Sequence, residues 1–216
     1  MAQHSTAVTR AKVIQSGAPD AINRAAEILR NGGIVAIPTD TVYGLAVLPQ
    51  PAPLERLVAA KRRSIDKGIQ LLIDSVDQMH LYAAVPEQAE RLAARYWPGP
   101  LTLVLQFRPG VTLPELLSGG RGTVGLRLPD HEVPRGLCRI LGPIAASSAN
   151  VSGRPDATTA QQALASMGSE FELMLDDGPV RGGMPSTVVA FDGQGSEPVI
   201  VREGALSRAD ILAAAG

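Results

Sequence analysis

The sequence predicts an α/β fold in which helices pack on a mixed, largely buried sheet. Short apolar runs typical of buried strands alternate along the chain with longer segments whose apolar residues recur at helical spacing. No internal repeat, low-complexity tract or linker interrupts this alternation. We therefore expect a single domain over residues 1–216, a length that supports a sizeable core.

The predicted elements follow one another from residue 20 to residue 215. Asp20 is expected to cap the first helix, and Thr158 with Gln161 has the spacing of a capping box. Helices are predicted over residues 20–31, 51–63, 86–97, 132–141, 158–167 and 207–215. Strands are predicted over residues 34–38, 69–73, 101–107, 123–129, 143–147, 173–177, 186–191 and 198–203.

The composition is that of a globular protein without a membrane segment. Hydrophobic residues make up 45% of the chain, charged residues 19% and aromatic residues 3%, so aliphatic side chains must fill the core. No run approaches the roughly 18 apolar residues of a membrane span, and the first residues lack the apolar centre of a signal peptide. We expect a cytoplasmic protein with no membrane partner.

Charge, cysteine and histidine content exclude several kinds of site. The net charge of −1 gives no global attraction to nucleic acid, so a basic site must be local. Cys138 is the single cysteine, which excludes a disulfide framework, and its apolar neighbours favour a buried structural thiol. The histidines are too scattered for a metal cage and are expected at the surface or at helix caps: His4, His80 and His131.

Two glycine-rich phosphate-binding motifs are excluded. Residues 120–125 read GRGTVG, but the dinucleotide motif of that pattern needs a following helix, and here a strand, TVGLRLP, follows. No GxxxxGK[ST] loop is present. A nucleotide site must therefore use side chains and other turns.

Polar and basic groups stand at the ends of several predicted elements. Lys61 and Arg63 lie at the end of a predicted helix, where they either interact with the helix dipole or point towards phosphates. Ser148 and Asn150 follow a strand, where they either stabilise a turn or face a ligand at the strand's carboxyl end. Arg202 ends the last long strand, a position that also suits an ordinary surface arginine.

Seven segments follow one another over about residues 20–206: IPTDTVYGL, AAKRR, YWPGPLTLVL, TVGLRLPDH, PIAASSANVSGRP, PSTVVAF and VIVREGAL. In this order they resemble the YrdC family of threonylcarbamoyl-AMP synthases, in its short single-domain bacterial form. The resemblance implies a twisted α/β sheet with an open, positively lined concave face. It also implies that ATP, L-threonine and bicarbonate give threonylcarbamoyl-AMP and pyrophosphate. Downstream transfer proteins would then modify tRNA next to the anticodon.

The resemblance also implies roles for single residues. Lys61 and Arg63 match the family's K-x-R pair and are expected to serve catalysis. The residues expected to bind ATP are Lys61, Arg63, Thr123, Ser148, Asn150, Arg154 and Arg202. Thr39, Arg127 and Ser186 are expected to line the threonine site, which would explain why strand 34–38 ends in hydroxyl groups. Mg²⁺ is expected to arrive with ATP, and no protein-bound metal is expected.

Some positions depart from the family pattern. Leu72 stands where many relatives have histidine, Pro185 where many have glutamate, and Glu203 where many have proline. Part of the pattern also resembles YciO-type paralogues, so a different chemistry is one alternative. A non-catalytic RNA-binding protein that uses the same basic face is another, and weak RNA binding is open in each case. The additional C-terminal domain of longer relatives is expected to be absent.

Overall fold

The computed structural model describes residues 11–193 and 197–216, which leaves His4 outside the described ranges. The helices are α1 Ala21–Arg30, α2 Pro51–Lys61, α3 Asp77–Tyr82, α4 Glu87–Tyr96, α5 Glu115–Ser118, α6 Glu132–Leu141, α7 Ala160–Met167 and α8 Arg208–Ala215. The strands are β1 Lys12–Gln15, β2 Val35–Ile37, β3 Gly44–Val47, β4 Gln70–Leu72, β5 Leu101–Gln106, β6 Thr123–Arg127, β7 Ile144–Ser148, β8 Leu173–Asp176, β9 Thr187–Ala190 and β10 Val199–Arg202. Within these ranges no helix is both long and apolar enough to cross a bilayer.

The strands form one mixed sheet in the order β1-β8-β2-β3-β7-β4-β6-β5-β9-β10. The pairs β1–β8, β2–β8, β4–β6 and β5–β9 are parallel. The remaining neighbours are antiparallel. The mixed sheet that the sequence predicts is therefore confirmed.

Helices cover the two faces of the sheet unequally. One face packs on the larger apolar cluster, to which α2, α4, α5, α7 and α8 all contribute. The other face packs on a smaller cluster built by α1 and α6 against β2, β3, β4, β7 and β8. Among the described residues, β5, β6, β9 and β10 contribute nothing to this smaller cluster. That half of the face is left open, and it becomes the floor of the cavity described below.

Four elements lie outside the sequence predictions: β1, β3, α3 and α5. β3 is the most consequential, because it is a central strand that pairs with both β2 and β7. It has only four residues and begins at Gly44, so its apolar run reads as the end of the preceding loop. Short segments of this kind carry too little periodicity to be recognised.

Both predicted helix caps are wrong in detail. Asp20 precedes α1 with a left-handed backbone (φ 60°) and makes no capping hydrogen bond with its side chain, because such a cap is normally made from an extended backbone. α7 begins at Ala160, two residues later than predicted, and its cap is one residue later. Thr159, and not Thr158, accepts a hydrogen bond from the backbone N–H of Gln162 (3.2 Å). Gln162 in turn accepts from the N–H of Thr158 (2.7 Å), which leaves Gln161 outside the box.

Candidate active site

A cavity of about 710 Å³ lies on the uncovered half of the sheet. Strand alternation explains its lining, since Leu101, Leu103 and Leu105 of β5 point into the larger apolar cluster. The alternate residues of β5, and those at matching positions of neighbouring strands, face the cavity instead: Gln70, Thr102, Val104, Gln106, Thr123, Gly125, Arg127, Val188 and Ala190.

The charged lining is mainly basic. The cations are Arg63, Lys67, Arg121, Arg127 and Arg202, and the carboxylates are Asp66 and Asp192. Burial is the first cause that lowers the pKa of the Arg63, Arg127 and Arg202 side chains. The charge of Arg202 lowers the pKa of Arg63 and Arg127 further. Crowded, partly desolvated cations of this kind form an anion-binding surface.

Arg127 is the most deeply buried of these cations. Its Nη2 donates to Asp40 Oδ1 (2.6 Å), Nη1 to Thr41 Oγ1 (2.9 Å) and Nε to the carbonyl of Gly99 (3.1 Å). The side chains of Arg127 and Asp40 are 3% and 10% exposed, so the ion pair is shielded from solvent. Asp40 opposes the effect of burial on the pKa of Arg127. The guanidinium is thus held rigidly at the cavity wall, with N–H donors to spare.

A chain of hydrogen bonds joins β10 to β4 across the cavity. Arg202 Nη2 donates to the carbonyl of Ser186 (2.7 Å) and lies 3.3 Å from its Oγ. Ser186 Oγ lies 2.8 Å from Thr102 Oγ1. Thr102 Oγ1 donates to Gln70 Oε1 (2.8 Å). A hydroxyl group has a single proton to donate, and that of Thr102 goes to Gln70. Ser186 must therefore donate to Thr102, which fixes the direction of both hydroxyl hydrogen bonds.

A second group of polar residues lies behind the cavity wall. Lys61 Nζ donates to the carbonyls of Ser148 and Asn150, the latter at 2.7 Å, and to Asn150 Oδ1 at 3.2 Å. Ser148 Oγ also donates to Asn150 Oδ1 (2.7 Å). Asn150 Nδ2 donates to the carbonyl of Arg154 (2.5 Å). Ser148 lines the cavity, whereas Lys61, Asn150 and Arg154 do not.

Thr39 serves the turn that follows β2. Its hydroxyl donates to the carbonyl of Val42 (2.6 Å) and accepts from the backbone N–H groups of Thr41 (3.2 Å) and Val42 (3.1 Å). Thr39 lines a second cavity of about 480 Å³ and not the first. The hydroxyl groups that end this strand therefore shape a tight turn, and it is Thr41 that reaches the main cavity.

The structure thus brings most of the candidate residues to one cavity. Arg63, Thr123, Arg127, Ser148, Ser186 and Arg202 line it. The departures from the family pattern are also placed, because Pro185 lines the cavity while Leu72 is buried and Glu203 is exposed.

Sequence reasoning missed several cavity residues, namely Asp66, Gln70, Thr102 and Arg121 together with Thr41. Thr102 carried a usable signal, because it alternates with leucines along β5 and so had to face the opposite side of the sheet. No comparable signal in the sequence marked Asp40, because its ion pair with Arg127 joins residues far apart in the chain.

Other expectations concern residues away from the cavity. Cys138 is free and buried, as predicted, and burial raises its pKa to about 12. His131 caps α6 by accepting from the N–H of Val133 (3.2 Å), and His80 is exposed, so both take the expected roles. Within residues 11–193 and 197–216, no three His, Cys, Asp or Glu side chains are grouped to hold a metal ion.

A family model that covers Sua5, YciO and YrdC proteins, described as "Telomere recombination", matches residues 27–204. The chain belongs to the Sua5/YciO/YrdC family. This membership confirms the resemblance carried by the seven sequence segments.

Several members of the family are similar over most of the chain. The threonylcarbamoyl-AMP synthase of Pyrococcus abyssi is 40% identical over 194 residues, which are 88% of this chain and 56% of that protein. The synthase of Bacillus subtilis is 36% identical over 90% of this chain and 56% of its own length. The synthase of Pseudomonas putida is 35% identical over 85% of this chain and 97% of its own length. The chain therefore spans little more than half of the first two relatives.

Solved structures of the family share the fold. P. abyssi Sua5 complexed with L-threonine is 37% identical, with a TM-score of 0.82 over 89% of this chain and 57% of that one. Escherichia coli YciO is 27% identical, with a TM-score of 0.77 over 89% of this chain and 94% of that one. The α/β fold and its family likeness are confirmed by these matches.

Proposed function

We propose that the protein is a threonylcarbamoyl-AMP synthase, that is, an L-threonylcarbamoyladenylate synthase of the nucleotidyltransferase class. It would convert ATP, L-threonine and bicarbonate to threonylcarbamoyl-AMP and pyrophosphate. The observation that carries the proposal is the cavity, where Arg63, Arg127 and Arg202 converge from distant parts of the chain. The names of the relatives and the threonine complex of P. abyssi Sua5 support it.

The proposed reaction requires that the two substrates be positioned together and that negative charge on the phosphates be stabilised. Threonine and bicarbonate condense to a carbamate with loss of water, and a carbamate oxygen attacks the α-phosphorus of ATP. The bond from that phosphorus to the bridging oxygen breaks, and pyrophosphate leaves with its electron pair. The carbamate is already anionic and needs no activating triad. Cations around the phosphates are the groups that such a step requires.

The cavity residues divide between the two substrates in this proposal. Arg63 and Arg202 bind the phosphates of MgATP, and Thr123 and Ser148 contact the same nucleotide. Arginine suits the task because its planar fork binds phosphate oxygens in pairs. Mg²⁺ enters as part of the nucleotide substrate. The exposed Arg154 is proposed to reach the nucleotide from the rim.

The amino acid is proposed to bind on the Arg127 side. The spare N–H donors of Arg127 face the threonine carboxylate, and Ser186 lies across the cavity from it. Thr39 would act indirectly, by shaping the turn that places Thr41. We place the activity in the cytoplasm, where transfer proteins would use its product to modify tRNA.

Pyrophosphate release tests the proposal. The protein is incubated with MgATP, with and without L-threonine and bicarbonate, and pyrophosphate is measured together with the adenylate product. We expect release only when both co-substrates are present. Turnover that ignores threonine would favour a YciO-type chemistry, and salt-sensitive RNA binding without nucleotide turnover would favour the RNA-binding alternative.

A further inference from the structure

Lys61 is a fully buried cation at the end of α2. Its relative exposure is 1%, and its Nζ lies against the carbonyls of Ser148 and Asn150 and against Asn150 Oδ1. An ammonium group has three N–H donors. All three are thus matched by acceptors of the protein itself, and the group does not line the cavity.

The acceptors belong to the 148–154 turn, which begins at Ser148, the last residue of β7. Asn150 Oδ1 accepts from both Lys61 and Ser148, while Asn150 Nδ2 donates to the carbonyl of Arg154 (2.5 Å). The backbone carbonyl of Lys61 also accepts from the N–H of Ser152 (3.2 Å). Lys61 therefore contacts the turn through both its side chain and its backbone. Ser148 is the residue of this group that reaches the cavity.

We infer that Lys61 is a positioning residue, whose buried ammonium holds the 148–154 turn so that Ser148 is presented to the cavity. It acts on the ligand through this turn and makes no contact of its own. Arg63, two residues later, is different, because it lines the cavity. The ordering of the turn requires no assumption about the reaction, whereas its effect on ATP rests on the proposed function.

The surroundings of Lys61 give the inference a pH signature. Burial lowers the pKa of Lys61 to about 8, the charge of Arg63 acts in the same direction, and the charge of Asp156 opposes them. Above that pH the ammonium loses one of its three donors, so one contact with the turn must be lost. The turn is therefore expected to change in step with the titration of Lys61.

The first experiment uses ligand-free protein. Lysine occurs only at positions 12, 61 and 67, so Lys61→Met can be matched by Lys12→Met on the exposed strand β1. We expect Lys61→Met to speed amide hydrogen exchange at Asn150 and Ser152 by about tenfold or more, and Lys12→Met to leave it unchanged. Unchanged exchange in Lys61→Met would overturn the inference.

The second experiment uses the parent protein, so its outcome does not depend on whether a substituted protein folds. Lysine labelled with ¹³C at Cε is followed by NMR in the parent protein, together with the amide signals of Asn150 and Ser152, as the pH rises from 6 to 10. We expect the Lys61 signal and both amide signals to share one midpoint near 8. Amide signals that do not follow the Lys61 titration would contradict the inference.

MgATP binding separates this inference from the proposed function. If the parent chain binds no ATP, the proposed function fails and the ligand-free experiments still decide the role of Lys61. If it binds, we expect Lys61→Met to weaken ATP binding and to loosen the turn together. Weaker binding with an unaltered ligand-free turn would show that Lys61 contacts the phosphates directly, and would overturn the inference.

Discussion

At the scale of single residues, buried polar side chains gather around the cavity. Thr39, Thr41, Lys61, Asn150 and Ser186 are among those less than a tenth exposed. Each makes hydrogen bonds, as buried polar groups must if their desolvation is to be compensated. The positions of these side chains are therefore fixed, because a buried polar network whose members are all hydrogen-bonded is rigid.

Asp40→Asn tests the buried ion pair. The change keeps the shape of the side chain but leaves the charge of Arg127 unpaired, and its side chain is only 3% exposed. Removing one member of a buried pair typically costs about 3–5 kcal/mol, so we expect the free energy of unfolding to fall by that amount. Urea denaturation measures it.

The exposed pair of Arg91 and Glu87 provides the control for that change. The Glu87 side chain is 80% exposed, so Glu87→Gln is expected to change the unfolding free energy by no more than about 1 kcal/mol. Equal effects of the two substitutions would mean that the Asp40 pair is solvated in solution.

Gly125→Ala tests the floor of the cavity. A methyl group added there would lie 3.5 Å from Gln70 Cβ and 3.6 Å from Thr102 Cγ2, which is ordinary contact, so stability should change by only about 0.5 kcal/mol. The methyl group would nevertheless project into the cavity where a ligand is proposed to bind. Overpacking of a close-fitting site typically costs about 1–3 kcal/mol. We expect calorimetry to show weaker L-threonine binding by about that amount.

Gly17→Ala is the matched control, because no atom beyond the two adjacent residues lies within 4 Å of the added methyl group. It should alter neither binding nor thermal unfolding. Parent-like affinity of Gly125→Ala for both threonine and MgATP would show that neither substrate lies over β6.

At the scale of elements, the bounds of helices and strands with long apolar runs were predictable from the sequence. Short strands, and the exact start of a helix, were not. The strand of residues 101–107 and the helix of residues 132–141 appear as β5 and α6 almost as predicted. By contrast, α7 starts two residues later than predicted because Ala160, Ala163 and Met167 set the buried face of the helix. The packing of these side chains decides where the helix begins, because a cap contributes only about 1 kcal/mol to stability.

Ser207→Ala tests the capping box of α8. Ser207 Oγ accepts from the N–H of Asp210 (3.2 Å), and Asp210 Oδ2 accepts from the N–H of Ser207 (3.1 Å). Loss of this cap should lower the unfolding free energy by about 1 kcal/mol, measured by thermal or urea unfolding. Ser169→Ala, in the exposed loop after α7, should have a smaller effect. If both changes cost the same, the box contributes nothing to stability.

At the scale of the whole molecule, the candidate site exists because the sheet is covered unequally. α1 and α6 pack over one half of a face, and the half formed by β5, β6 and β9 stays open. The loops that follow α2 and β2, and the strand β10, then deliver Arg63, Thr41 and Arg202 to the same space. A basic cavity thereby forms in a chain whose net charge is −1.

Arg63 and Arg202 should act together in ATP binding. They lie near enough for the charge of Arg202 to lower the pKa of Arg63, and both are proposed to hold the same phosphates. We expect Arg63→Ala and Arg202→Ala each to weaken MgATP binding, with a double variant that departs from additivity by more than about 0.5 kcal/mol. Calorimetric titration of the four proteins measures this coupling.

Arg95 supplies the reference for that cycle, because it stacks on the ring of Tyr96 away from the cavity. Arg95→Ala should leave MgATP binding unchanged, and its combination with Arg63→Ala should be additive. Additive losses for the Arg63 and Arg202 pair as well would mean that the two cations do not share a ligand.

The sequence by itself determined the fold class, most strands and helices, the family, and six residues that line the cavity. Apolar periodicity and ordered motifs are local properties, so they can be recognised along the chain. Only the tertiary structure decided that Arg127 pairs with Asp40 and that Lys61 lies beneath the 148–154 turn. These contacts join segments distant in sequence, and the direction of a buried side chain is set by the packing of its neighbours.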